Sequence, residues 1–390
     1  MYQQHLEELL EELKTKLSDL PEEIQAAYRD TPRHLFADIF LDWKKEEDTY
    51  TYKEVKTTPE NLEKYLPRIY SNTTICLALD DDKKWISSIS QPSLVLMMLQ
   101  KLQIEKGQKV LEIGTASGWN AAMMAKLVGE EGHVYSIDIL SDLIVRAKAR
   151  VKAQNITNLS LFDGDGATEM YGESFDRIMF TVGSYDIPES IHKQLKEGGL
   201  LLAVVKNKCF WDCLVLLKKV GNCLESIENG PCGFVPLKGA YEMTELNPIN
   251  LEDLPLWSEL KNQIVCEQDF WWGSNSLFLM KHRKKTGGIT SFLSIVEPQF
   301  EIFNDEDAVA FGLVDEQQSS IVVWKDDKLI GYGNPTAFER IKAHFELYVK
   351  LGMPSSTCFK LKVYPKEETV ALGENEWLIR RKDSQFVWGI

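Results

Sequence analysis

The stretch Gly107–Leu140, GQKVLEIGTASGWNAAMMAKLVGEEGHVYSIDIL, decides how the chain reads. Val110 to Ile113 form a short apolar run that fits a buried strand. Small residues then make a turn, and WNAAMMAKLVG has helical spacing and stops at Gly129. A second strand, HVYSID, ends at Asp138, twenty-four residues after Gly114. A doubly wound sheet places an acid there that accepts hydrogen bonds from a ribose diol. Strand, glycine turn, helix, strand and acid, in that order, predict the first unit of a Rossmann-like α/β fold.

The glycine spacing says what such a turn holds. A dinucleotide turn wants G-x-G-x-x-G, because the pyrophosphate sits on bare backbone at the helix N-terminus. Here Gly114 and Gly118 are separated by Thr115, Ala116 and Ser117. Glu112, two residues before the first glycine, would also repel a pyrophosphate in a partly dry turn. Beside a sulfonium and an ammonium the same acid is favourable. E-x-G-x-x-x-G followed by a ribose acid therefore points to S-adenosylmethionine, with Glu112, Gly114, Thr115, Ser117, Gly118 and Asp138 as candidate cofactor-binding residues. The plainer alternative is a glycine turn in an unrelated α/β domain.

Composition bounds the rest. At 390 residues the chain exceeds the usual size of one domain and suggests two. The first residues, MYQQHLEELLEELKTKL, are amphipathic, with Leu6, Leu9, Leu10, Leu13 and Leu17 on one side, and lack the apolar core of a signal peptide. No run of about eighteen apolar residues occurs, so no membrane-spanning segment is expected. A net charge of −15 argues against nucleic acid, whose binding needs an excess of Lys and Arg. Seven cysteines without a CxxC pair read as reduced thiols of a cytoplasmic protein, packed as small hydrophobes. The histidines show no metal-ligand spacing, and no metal is expected.

Downstream, helix and strand alternate. SDLIVRAKARVKAQN has Ser141 as its cap, and NLSLFDGDG is a strand ending in Asp163, Asp165 and Gly166, where an acid can bond an adenine amino group. FDRIMFTV is the next strand. PESIHKQLKEGG is a helix opened by Pro188 and closed by Gly198 and Gly199, and LLLAVV is a further strand. The acids and loops thus gather at one edge of the sheet, where an open α/β fold binds its ligand.

Six blocks, in order, carry a resemblance: AAYRDTPRHLF (Ala26–Phe36), SSISQPS (Ser87–Ser93), VLEIGTASGWNAA, GDG (Gly164–Gly166), FDRIMFTVGSYDIPESIHKQLKEGG and GFVPLKG (Gly233–Gly239). In these the chain resembles the protein-L-isoaspartate O-methyltransferase family over about Ala26–Gly239. The resemblance implies a class I methyltransferase that uses S-adenosylmethionine to esterify a peptide carboxylate. It places Gly114, Thr115, Gly118, Asp138, Asp165 and Gly166 at the cofactor and Ser90 on the family's active-site hydroxyl. Departures are informative. KWISSISQP stands where many members have G-Q-T-I-S-Q-P, so Ser88 replaces the threonine. VGSYDIP puts Tyr185 and an anionic Asp186 at the expected substrate mouth. The approach LPRIYSNTTICLALDDDKKW is long, and the chain runs on well past FVPL. Those two features resemble a branch whose members mature ribosomally made peptides beside lanthionine-forming or ATP-grasp enzymes, which implies a peptide or precursor-peptide partner.

The chemistry agrees. Methyl transfer from a sulfonium is an in-line displacement governed by positioning, with the nucleophile about 3 Å from the methyl carbon. A carboxylate is already ionised at neutral pH and needs no strong base. It needs weak, aimed donors, since a tight Lys or Arg bridge would quench it. Ser90 is therefore assigned to the acceptor carboxylate, with Ser88 and Gln91 as neighbouring donors and Pro92 stiffening the turn. The competing reading is that Ser87, Ser88 and Ser90 cap the helix PSLVLMMLQKL; the resemblance favours the site role for Ser90 and not for Ser87. His34 is expected to pack the N-terminal helices with a hydrogen bond. The free group of an isoaspartyl residue is an α-carboxylate, as is a C-terminus, so a site of this kind can serve either. The long approach and Tyr185 suggest a remodelled mouth, and the acceptor reading leans to a peptide C-terminus, with an aspartyl or isoaspartyl carboxylate as the other target. A general isoaspartyl repair enzyme is the alternative; a binding protein without catalysis is disfavoured by intact Gly114, Gly118, Asp138 and Ser90.

From about Tyr241 a separate α+β module is expected: a hairpin SSIVVWKDDKLIGYG, a helix NPTAFERIKAHFELYVKLG capped by Asn334, and strands in CFKLKVYP and EWLIRRKDSQFVWGI. DFWWGSN reads as core strand before peptide platform, and KHRKK as a solvated loop. The organisation expected is residues 1–25 as an amphipathic helix, 26–240 as the S-adenosylmethionine-binding domain, and 241–390 as an accessory domain for peptide recognition or for dimerisation into a homo-oligomer.

Overall fold

The computed structural model describes residues 2–46, 49–168, 172–209, 212–243, 248–269, 283–305, 308–325 and 328–390. The chain divides into two compact units. One is Met1–Val204 with Leu216–Asn222 and Phe234–Glu242; the other is Val205–Val215 with Cys223–Gly233 and Met243–Ile390. The N-terminal helix is thus part of the first unit, and the second takes two short segments from before residue 240.

The first unit opens with helices α1 (Tyr2–Lys16) and α2 (Glu22–Asp30). Leu6, Leu9, Leu10 and Leu13 of α1 are buried, the stripe that their spacing predicts. Strands β1 (Ile39–Glu46) and β2 (Thr49–Lys56), helix α3 (Leu62–Ile69), and strands β3 (Ile75–Leu79) and β4 (Trp85–Ile89) follow. The strands form an antiparallel sheet in the order β2-β1-β3-β4. Helix α4 (Pro92–Leu102) starts three residues after β4, with Pro92 in its first turn, where the missing N–H has no helical partner to lose.

Then come β5 (Lys109–Ile113), α5 (Trp119–Val128), β6 (His133–Asp138), α6 (Ser141–Ala153), β7 (Leu159–Asp163), β8 (Phe175–Ser184), α7 (Glu189–Gln194) and β9 (Leu195–Val205). The sheet order is β9-β8-β5-β6-β7, with β5 parallel to β6 and β8, and β6 parallel to β7. The chain fills β5, β6 and β7 in one direction and then returns to the other side of β5. That reversal is the switch point, and it opens a crevice at the carboxyl ends of β5 and β8. Helix α5 is apolar nearly all round because α2 covers one side and β6 another.

Two local expectations give way. Helix α7 ends at Gln194, and Gly198 and Gly199 lie inside β9. Lys219 Nζ takes the carbonyls of His192 and Leu195, and Leu195 and Leu200–Val205 are buried, so the chain turns extended early. Ser141 is not the cap of α6 either. Its hydroxyl donates to Asp163 (2.9 Å), while Asp138 accepts the Leu140 N–H (2.9 Å).

The second unit holds β10 (Asp212–Val220, shared with the first unit), β11 (Cys223–Cys232), β12 (Ile249–Asn250), α8 (Pro255–Leu260), β13 (Ile264–Asp269), α9 (Arg283–Val296), β14 (Phe300–Asp305), β15 (Ala308–Asp315), β16 (Ser320–Lys325), β17 (Lys328–Gly333), α10 (Thr336–Lys350), β18 (Lys360–Pro365), β19 (Glu376–Arg380) and β20 (Ser384–Gly389). One sheet runs β12-β14-β15-β16-β17-β13 and carries α10, which buries Phe338, Ile341, Phe345 and Tyr348 as its spacing predicts. Asn334 Oδ1 accepts the Thr336 N–H (2.9 Å), and Gly352 at φ +82° follows the helix. EWLIRRKDSQFVWGI is a hairpin, β19 on β20, with β18 and β11 beyond. Arg283–Lys285 open α9 and are not a loop. Residues 281 and 282, the aromatics of DFWWGSN and the tip of KDDK lie outside the described residues.

Candidate active site

The glycine turn is built from bare backbone and one acid. Gly114 sits at φ +107°, and a Cβ there would lie 2.4 Å from Thr181 Oγ1, so no other residue fits. Thr181 itself donates to the carbonyls of Gly114 (2.6 Å) and Ile113 (3.0 Å). Asp138 Oδ2 accepts the Ala116 N–H at 2.7 Å, and its other oxygen accepts the N–H of Leu140, just before α6, at 2.9 Å. Burial pushes the Asp138 carboxyl up, and the backbone N–H groups of Ala116, Leu140 and Ile139 oppose that rise by favouring the charged form. Each carboxylate oxygen accepts more than one bond, so capacity for a diol remains.

Behind this turn the side chains face inward. Glu112 is fully buried; it accepts from Asn120 Nδ2 (2.6 Å) and Ser136 Oγ (2.5 Å), and Ser136 also meets Thr115 Oγ1 at 2.6 Å. Burial pushes Glu112 up to about 7. Ser117 is buried; its hydroxyl accepts the Trp119 N–H (3.3 Å), and its carbonyl accepts from Arg150, which also binds Asp38 at 2.7 Å. Gly118 abuts α6, where a Cβ would sit 3.3 Å from that of Ala147. Of the six cofactor residues read from the motif, Gly114 and Asp138 keep partly exposed surface, joined by Ala116, while the side chains of Glu112, Thr115 and Ser117 and the close approach at Gly118 set the turn from within.

Asp165 has a second employment. Its oxygens accept the Ala167 N–H (2.9 Å) and the Ala240 N–H (2.7 Å). Gly239, at φ +94°, passes so close that a Cβ would lie 2.4 Å from Asp165 Oδ2. Asp165 thus pins the returning segment Phe234–Glu242, which also brackets Gly183 through its N–H to Val235 (2.8 Å) and its carbonyl from Leu237 (2.8 Å). Gly166 is a packing position, with a Cβ 2.7 Å from Ile137.

The turn expected to hold the acceptor, hereafter the acceptor turn, lies at the end of β4. Ser87 is buried and faces away, Ser88 pairs with Cys76, and Ser90 is half-buried just past the strand. Among the described residues the hydroxyls of Ser88 and Ser90 make no protein hydrogen bond. The N-cap of α4 is Gln91, without a side-chain cap bond, so the serines are not caps. Gln91 Nε2 donates to Ser93 Oγ at 2.8 Å, which engages it locally. Asp186 is buried and accepts the Ile187 N–H (2.8 Å), so its carboxyl is held inside rather than presented at the surface; Tyr185 is half-buried. His34 is buried, pairs with Tyr70 Oη at 2.7 Å and is pushed down to about 4 by burial, so it packs the helices as a neutral ring.

Sequence reasoning missed Thr181, Asn120, Arg150 with Asp38, and Arg33. None has a spacing that announces it; Arg33, Asn120 and Thr181 lay inside blocks of the resemblance, whereas Asp38 and Arg150 lay outside them. The arrangement offers two unengaged hydroxyls, a glycine cradle that a Cβ would fill, and an acid with spare acceptor capacity, which fits an adenosyl sulfonium beside a weakly held carboxylate.

Comparison with known proteins agrees. The chain matches the sequence profile of Protein-L-isoaspartate(D-aspartate) O-methyltransferase (PCMT) over residues 4–242. Protein-L-isoaspartate O-methyltransferase 2 of Archaeoglobus fulgidus is 32% identical over 241 residues, 62% of this chain and 95% of that protein. The protein-L-isoaspartate O-methyltransferase of Ignicoccus hospitalis is 37% identical over 151 residues, 38% of this chain and 72% of that one. A solved protein-L-isoaspartate O-methyltransferase shares the fold with a TM-score of 0.53 at 22% identity, covering 93% of this chain and 96% of its own. The chain belongs to the protein-L-isoaspartate O-methyltransferase family and is an S-adenosylmethionine-dependent carboxyl O-methyltransferase.

Proposed function

We propose that this enzyme esterifies a carboxylate of a ribosomally made peptide during its maturation, leaning to the C-terminal α-carboxylate, with an aspartyl or isoaspartyl carboxylate as the other target. The observation that carries the reading is the pair of half-buried, unengaged hydroxyls on Ser88 and Ser90. Two neutral donors orient an acceptor oxygen while leaving its lone pair reactive. Bound S-adenosylmethionine supplies a methyl group on a sulfonium. The chain's own part is to hold and exclude water: Gly114 leaves room for close approach, Asp138 accepts from ribose hydroxyls, and Ser90 aims the carboxylate, which arrives ionised and gives up no proton.

The second reading is general repair of isoaspartyl proteins. The relatives' names favour it, and so does a solved protein-L-isoaspartate O-methyltransferase whose fold likeness spans nearly this whole chain, since an extension past FVPL then does not mark a dedicated modifier. Mass spectrometry separates the two. The enzyme is given S-adenosylmethionine with a generic peptide carrying an internal isoaspartate, and with a peptide ending in a free carboxylate beside its amidated twin. Methylation of the free C-terminus and not of the twin supports the proposal. Methylation of the isoaspartyl peptide alone sinks it in favour of repair.

A further inference from the structure

Arg33 is the most buried cation near the site, 1% exposed. Its two terminal nitrogens donate to five backbone carbonyls: those of Ile69 (2.7 Å), Ser71 (3.0 Å) and Thr73 (2.9 Å), and, across the unit, those of Ile89 (3.4 Å) and Ser90 (3.0 Å). No carboxylate hydrogen-bonds to it among the described residues. Burial pushes the guanidinium down to about 9, which leaves it charged at neutral pH. Its charge is therefore met by carbonyl dipoles and by the face of Trp119, whose ring centroid lies 5.2 Å from Cζ.

These contacts join two places that the reaction must keep in register. Ile89 and Ser90 form the acceptor turn. Trp119 is the first residue of α5, directly after Gly118, and its indole N–H is fixed to the Thr31 carbonyl at 2.9 Å, two residues before Arg33. The planar fork of an arginine holds several acceptors at fixed angles, which a lysine's single ammonium cannot do. A buried cation with no counter-ion is costly unless its hydrogen bonds are met; here the five carbonyls serve the two terminal nitrogens, while Nε has no partner among the described residues.

We infer that Arg33 is a positioning residue for methyl transfer: by gripping the Ser90 carbonyl and stacking on Trp119, it fixes the Ser90 hydroxyl relative to the glycine turn. This rests on the reading of Ser90 as the acceptor's partner. Arg33 touches neither substrate nor cofactor, so its loss acts through the turn. An error of about 1 Å in placing the reacting groups costs about 100-fold in rate.

The test uses the full chain as Arg33→Lys and Arg33→Ala, with Ser90→Ala alongside. S-adenosylhomocysteine affinity is measured by calorimetry, turnover with the two peptides described above, and backbone hydrogen exchange over residues 87–93 and 114–119. Arg33→Lys is expected to bind S-adenosylhomocysteine as the wild type does, to lose about 100-fold in kcat, and to exchange faster over residues 87–93 but not over 114–119. Free guanidinium at sub-denaturing concentration is expected to restore turnover to Arg33→Ala and not to Ser90→Ala. Wild-type exchange over 87–93 in Arg33→Lys overturns the inference without any acceptor. So does a loss of turnover matched by loss of cofactor affinity, which marks a general structural role. Full turnover in Ser90→Ala instead removes the reading of Ser90, a separate failure.

Discussion

The acceptor turn and the cofactor turn lie in one unit and are stabilised with opposite signs of charge. At the turn after β4 the buried Arg33 guanidinium serves carbonyls, and among the described residues the hydroxyls of Ser88 and Ser90 make no protein hydrogen bond. At the cofactor turn carboxylates do the bracing: Asp138 takes the Ala116 N–H, and Glu112 takes Asn120 and Ser136. The difference follows the ligand expected at each. An anionic acceptor would be met by neutral hydroxyls with a cation behind them; a ribose diol would be met by Asp138, with Glu112 bracing the turn from behind. Each turn borrows rigidity from a charged or titratable group set against its backbone: a guanidinium at one, carboxyls at the other.

The sharpest way to break that comparison is at Gly114. Gly114→Ala places a methyl 2.4 Å from Thr181 Oγ1 at φ +107°. Strained backbone of this kind costs about 1–3 kcal/mol before the clash is counted, so S-adenosylhomocysteine binding is expected to weaken about 100-fold or more in calorimetry. Unchanged affinity would show that the turn is not where the cofactor lies.

Next is Ser90→Ala. A hydrogen bond to a charged group contributes about 1.5–3 kcal/mol, so kcat/KM is expected to fall about 10- to 100-fold with S-adenosylhomocysteine affinity unchanged. A fall in cofactor affinity instead would mean that the two turns are not separable. Asp138→Asn keeps the shape but gives up the charge and one acceptor oxygen. Cofactor affinity is expected to drop about tenfold, with the acceptor's KM untouched.

The smallest effect on turnover is expected from Glu112→Gln, because this side chain braces the turn from behind. Its signature is in stability against pH. Burial holds the carboxyl at about 7 in the folded chain against an ordinary value of 4.5, so the protonated form favours folding. That contribution is complete below about pH 4.5, declines as pH rises, and is gone above about pH 7. Glu112→Gln is expected to flatten that decline, a change of a few degrees in Tm between pH 5 and pH 7 for a chain of this size. An identical slope in the variant would mean that Glu112 is ionised throughout.

How much of this was legible in the amino-acid order differs residue by residue. Strand β5, the turn, α5, β6 and the acid at its end follow from local rules: apolar runs, helical spacing, a backbone position that only glycine tolerates, and an acid at a strand end. Helix α10 and its buried face were legible for the same reason. Helix α7 was misjudged because Gly198 and Gly199 resemble a helix stop, yet burial of Leu195 and the carbonyl bonds to Lys219 extend the chain first. The inward turn of Glu112 and the use of Asp165 to hold Ala240, seventy-five residues on, carry no local mark, since an acid at a strand end looks the same whichever partner it meets.

The sequence by itself therefore determined the Rossmann-like core of the first unit and the kind of cofactor, because hydrophobic period and glycine geometry act over a few residues. The family came from the resemblance of six ordered blocks, and the antiparallel sheet of β1 to β4 was not read from the sequence. Only the tertiary structure decided which polar side chains face the crevice and which brace it. Arg33 reaches carbonyls 36 to 57 residues away, and what a buried polar group bonds is set by whatever packs against it, a matter of long-range contact that no spacing along the chain encodes.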